Sequence, residues 1–187
     1  GLEGVAFKLA LMAHQSLSDQ VTDFYRDRDF APLWTGAGAD QAARRSALFE
    51  ALSTAGTHGL PARQYDPAGM RAMLAGVRSE ADRGEAEMAL TRLYLKFAHD
   101  IQSGLLEPRA VDDQIIRRRP MRSDKVLLDH LTEQPPRHAM RTLAPQTPEY
   151  RGLLRAKMDL EAQIADGGWG PAVRADRLDP GDTGPAV

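Results

Sequence analysis

Five histidines, at positions 14, 58, 99, 130 and 138, are the side chains best suited to moving protons near neutral pH. None lies in an HExxH pattern, and no two are spaced four apart as a helical metal site requires. His99-Asp100 is the best acid–base pair on offer. Neighbours on a helix point about 100° apart, however, so these two cannot orient each other. The histidines therefore read as exposed or capping residues.

Carboxylates pair at Glu85 and Glu87, at Asp112 and Asp113, and at Asp179 and Asp182. A lytic glycosidase would need two such groups facing one cleft at about 5 to 9 Å, one of them made a better proton holder by burial. In this chain they read as solvated surface charges. The densest charge is Arg117-Arg118-Arg119 with Arg122. Guanidinium forks can grip a phosphate or another anion, while the plainer reading is a solvated loop kept extended by Pro120. No GxxxxGK phosphate loop accompanies it. The cysteine count is zero, which excludes a thiolate nucleophile, a zinc ribbon and an iron–sulfur cluster from this chain. No catalytic, cofactor-binding or metal-binding residue is assigned.

Composition sets the frame for these residues. With 187 residues, 42% apolar and 27% charged, the chain can bury roughly 70% of its unfolded surface without a staple. A net charge of -2 gives no overall footprint for nucleic acid. No apolar run approaches the roughly 20 residues that span a bilayer.

Apolar spacing is helical throughout, so an all-α fold of about seven or eight helices with a C-terminal linker is expected. Val5, Leu9 and Met12 suggest a first helix, and Val21, Phe24 and Tyr25 a second. Leu48, Leu52 and Ala55 share a face between Asp40 and Thr57, a stretch stopped by Gly59 and Pro61. Asp66-Pro67 is a cap followed by proline at the first helical position, with Met70, Met73, Leu74 and Val77 behind it. The strongest signal runs from about Ala81 to Ser103, with Ala86, Leu90, Leu93, Phe97 and Ile101 in a stripe and Gly104 as its stop. Ser123 and Asp124 open a helix with Val126, Leu127 and Leu131, and a brief one covers Arg137 to Leu143. Thr147-Pro148 opens the last, bearing Tyr150, Leu153, Leu154, Met158 and Ile164. In DFYRDRDFAPLW the rings of Phe24, Tyr25, Phe30 and Trp34 cluster at a helix–proline junction, the pattern of a core corner. A platform for stacking sugar rings is the alternative.

Six blocks occur in order: FYRDRDFAPLW, ALSTAGTHGLPARQYD, YLKFAHDIQSGLLEP, LAPQTPEYRGLLRA, GGWGPAV and LDPGDTGPAV. Together, from about Asp23 to the end, they resemble the N-terminal helical scaffold region of the large Gram-negative L,D-transpeptidases of the YcbB type. The resemblance implies a helical scaffold domain over residues 1–168, then, over 169–187, a linker and the start of a peptidoglycan-binding domain whose first helix would begin after Val187. It further implies a periplasmic setting, no cofactor, and a parent enzyme whose cysteine, in an HGC-type motif, forms 3→3 cross-links. No residue here matches that motif. Peptidoglycan, met through the parent's other domains, and a cell-wall protein are the implied partners. A stand-alone helical adaptor for an anionic or protein partner is the alternative, with the arginine run as its contact.

Overall fold

The computed structural model describes residues 2–13, 18–103 and 121–168. Eight α-helices lie among them and no strand: α1 (Leu2–Ala13), α2 (Asp19–Asp27), α3 (Ala39–Ser53), α4 (Pro67–Gly76), α5 (Glu80–Ser103), α6 (Asp124–Glu133), α7 (Pro136–Arg141) and α8 (Pro148–Ala165). Short 3-10 turns, Ala55–His58 and Ala62–Tyr65, join α3 to α4. The all-α expectation holds. The chain separates into two compact units, Gly1–Gln146 and Thr147–Val187.

Within the first unit α5 is the axis. Twelve of its residues are buried, on more than one face, because α1 and α4 pack against it while α6 approaches elsewhere. A second layer forms where α2 packs on α6 and α3 on α7. Trp34, Tyr25, Tyr65, Tyr94, Phe24 and Phe97 are the largest side chains that are fully enclosed. The core corner read from the aromatic cluster is therefore real, although Phe30 is only half-buried, under the Lys8 ammonium 4.4 Å from its ring centre.

The caps expected from sequence form. The Asp66 carboxylate accepts from Gly69 N at 3.0 Å, the Ser123 hydroxyl from Val126 N at 3.4 Å, and the Thr147 hydroxyl from Tyr150 N at 3.3 Å. Each satisfies an amide that the first helical turn leaves unpaired. Gly104 and the 169–187 linker lie outside the described residues.

The buried face of α1 is not the expected one. Val5, Leu9 and Met12 are exposed, and Phe7 and Leu11 are enclosed instead. Gly84 of α5 explains the choice. A Cβ there would stand 2.6 Å from the Ala10 Cβ and 3.0 Å from the Phe7 carbonyl oxygen, so α1 lies in a notch that only glycine leaves open. In α6 Leu127 and Leu131 are buried as expected, with Leu128 beside them, while Val126 is exposed. The second unit contributes α8; none of its residues is buried, and Gly167 and Gly168 at φ +106° and +71° end it.

Candidate functional site

The densest convergence of polar groups lies on α5, where sequence reasoning placed a solvated charge. Glu85 is exposed, but Glu87 is completely buried, which overturns the surface reading for that carboxylate. Residues 84, 87, 91, 94, 98 and 101 follow the helical repeat, so Glu87 stands on a face with Gly84, Thr91 and Tyr94 that its neighbours cover. Taking a carboxylate out of water costs several kcal/mol unless donors replace the water.

Here the donors come from α2 and from the segment that follows it. Leu33 N donates to Glu87 Oε1 at 2.6 Å, and Thr35 N to Oε2 at 2.9 Å. Trp34 N lies 3.2 Å from both oxygens. The Thr35 hydroxyl adds a bond of 2.8 Å and the Tyr25 hydroxyl another of 2.8 Å. Three successive backbone amides thus cup one anion, as a backbone nest does, and bonds to an ionised acceptor are among the strongest available.

Thr91, one turn on, extends the network. Its hydroxyl accepts from Trp34 Nε1 at 3.0 Å and lies 2.8 Å from Tyr25 Oη and 3.0 Å from the Glu87 carbonyl oxygen. Since Tyr25 gives its only proton to the carboxylate, the single Thr91 proton serves one of those two acceptors. Burial, then the Glu87 charge, push the Tyr25 pKa well above its ordinary value, so the phenol remains a donor.

The opposite edge of the same segment is held by α3. Gln41 Nε2 donates to Pro32 O at 3.3 Å, Arg44 Nη1 to Leu33 O at 3.2 Å, and Arg45 Nη1 to the carbonyls of Trp34 and Gly36. Its amides therefore point to α5 and its carbonyls to α3, and little is left for a ligand. The turn into it is strained, because Asp29 and Phe30 both take left-handed φ, +54° and +57°. Such residues cost on the order of 1 kcal/mol each and persist only where the surroundings over-determine them.

The other candidates disperse. His99 and Asp100 diverge as their adjacency requires: Asp100 accepts from Tyr65 at 2.9 Å and Lys96 at 2.6 Å, while His99 Nε2 meets Asp124 Oδ1 at 2.7 Å. Ser18 donates to the other Asp124 oxygen at 2.6 Å. Serine, aspartate and histidine are thus in line, but with the carboxylate in the middle. The imidazole cannot take the serine proton, so this is no nucleophile–base pair.

His130 bonds Thr142 at 2.8 Å, and His138 is exposed. Arg122 is spent internally, with Nη2 on the carbonyls of Thr142 at 2.9 Å and Leu143 at 3.2 Å. His14, Asp112, Asp113, Arg117, Arg118, Arg119, Asp179 and Asp182 lie outside the described residues. No group of three or more His, Asp or Glu is arranged to hold a metal ion among the described residues, and none of their helices is long and apolar enough to cross a membrane.

The arrangement is suited to fixing one segment between two helices rather than to turning over a substrate. Sequence reasoning missed Glu87 because a charge was assumed to seek water. The available signal was its place in the helical repeat shared with Tyr94 and Ile101. A family model described as a scaffold domain matches residues 19–156. No curated protein and no solved structure matches the chain.

Proposed function

The chain belongs to the scaffold-domain family, and from that premise we propose that it is the non-catalytic scaffold region of a periplasmic peptidoglycan L,D-transpeptidase. In this reading the parent's cysteine thiolate attacks the stem tetrapeptide, D-alanine leaves, and the acyl group passes to an amine of a neighbouring strand to give a 3→3 cross-link. This chain, without cysteine, supplies none of those atoms. Its work is to hold glycan-binding and catalytic modules in a fixed relation, which a packed helical body does better than a flexible linker.

The observation that carries the reading is the use made of FYRDRDFAPLW. Tyr25, Leu33 and Trp34 from that block, with Thr35 just beyond it, go to the core and to the Glu87 carboxylate rather than to a cleft. The resemblance rests heavily on a block whose role is internal fixation.

The test joins sequence and assay. The gene is read past the Val187 codon, and the complete product, a version lacking residues 19–156, and the 187-residue chain are each incubated with tetrapeptide muropeptides. The complete product is expected to release D-alanine and form 3→3 cross-links, the deleted version to do so poorly, and the chain alone to do neither. Turnover by the chain alone, or a downstream sequence without a cysteine motif, overturns the proposal.

A further inference from the structure

A groove is bordered by α3, the turn Ala55–His58, α5 and α7. Its apolar lining comes from Ala47, Ala51, Phe97 and Met140. Its volume is about 150 Å³. A space of that order holds one benzene-sized group, well below the roughly 300–1,000 Å³ that encloses a whole small molecule. The groove therefore suits a single side chain of something larger.

Charge narrows the choice. Glu50, Arg137 and Arg141 also line the groove. Arg137 Nε donates to Glu50 Oε2 at 2.9 Å, so those two offset each other. The Arg141 guanidinium is exposed and forms no ion pair with a described residue. Burial lowers the pKa of His58 beside them, and near neutral pH the imidazole adds no second charge. One cation is left over next to an apolar lining.

We propose that this groove receives the C-terminal residue of a polypeptide partner, its carboxylate on Arg141 and its apolar side chain against Ala51 and Met140. Only a terminal residue carries a carboxylate and an apolar side chain on the same Cα. An internal Asp or Glu brings the charge without the apolar body, and an internal Leu the reverse. A guanidinium can meet a carboxylate through two parallel N–H bonds, which gives direction as well as attraction. The proposal is independent of the transpeptidase parentage.

The experiment is a ¹H–¹⁵N NMR titration of the full chain with a tetrapeptide of three glycines and a C-terminal leucine. It is repeated with the C-terminal amide, with N-acetyl-leucine, and with the Arg141→Ala variant. The acid peptide is expected to shift the amides of Ala51, Thr54, Phe97 and Met140. Amidation and Arg141→Ala should each weaken binding by about ten-fold or more, the loss of one charge-assisted contact. Equal binding of acid and amide, shifts confined to other residues, no shift at all, or failure of N-acetyl-leucine, which keeps the same carboxylate and side chain, to shift those amides would overturn it. Because the amide changes only the ligand, that arm decides even if the variant misfolds.

Discussion

Helices α5 and α8 carry similar apolar spacing in sequence and meet opposite fates. In α5 twelve residues are buried, including a carboxylate; in α8 none is, and Leu153, Met158, Leu160 and Ile164 are exposed. Periodicity made both into helices, but what covers a face is decided by the elements that reach it. For α5 these are α1, α4 and α6, together with α2 and the clamped segment after it, which between them supply six donor contacts from five groups to one side chain.

The contrast breaks first at Glu87. Glu87→Ala leaves the amides of Leu33, Trp34 and Thr35 buried without an acceptor, and should cost on the order of 3–5 kcal/mol in urea unfolding monitored by Trp fluorescence. A loss below about 1 kcal/mol would mean that water replaces the carboxylate, and the clamp would not be a fixing element. Gly84→Ala comes next. Its Cβ would overlap Ala10 and crowd the Phe7 carbonyl, and the expected loss is about 1–3 kcal/mol, with hydrogen exchange accelerated in α1 alone.

Acid sharpens the comparison, since α8 contains no histidine while the first unit contains His58 and His130. Burial lowers both imidazoles below the ordinary 6.5, and at His130 the Arg122 charge adds to it. Below that value the unfolded chain takes up protons that the folded one resists. Stability should therefore fall as pH drops below about 6.5 and level off once the folded imidazoles also protonate. Urea midpoints measured from about pH 7 to about pH 5 should decline less steeply in a His58→Gln, His130→Gln variant. The smallest effect belongs to α8, where Leu153→Gln and Leu160→Gln should change stability by less than about 0.5 kcal/mol because both side chains are already solvated.

What the sequence made legible was local. Asp66-Pro67, Ser123 and Thr147-Pro148 mark helix starts through bonds that span three residues, and those bonds form. The face of α1 was not legible, since Val5 and Phe7 are equally apolar and only the notch at Gly84 chooses between them. Glu87 was misread for a related reason. Its partners lie more than fifty positions away, and nothing local tells a carboxylate that will be met by amides from one that will be met by water. His99 and Asp100 were read correctly as unable to orient each other, because adjacency on a helix is a local fact, yet the meeting of His99 with Asp124 across 25 positions was hidden.

The reach of the Glu87 clamp, 54 residues from Leu33, also sets an order of events during synthesis. A nascent chain that has emerged only as far as α3 carries Trp34 and its neighbouring amides with no anion to receive them. Their fixation waits until the middle of α5 clears the ribosome, so the earliest aromatic block of this fold is not locked when it first emerges.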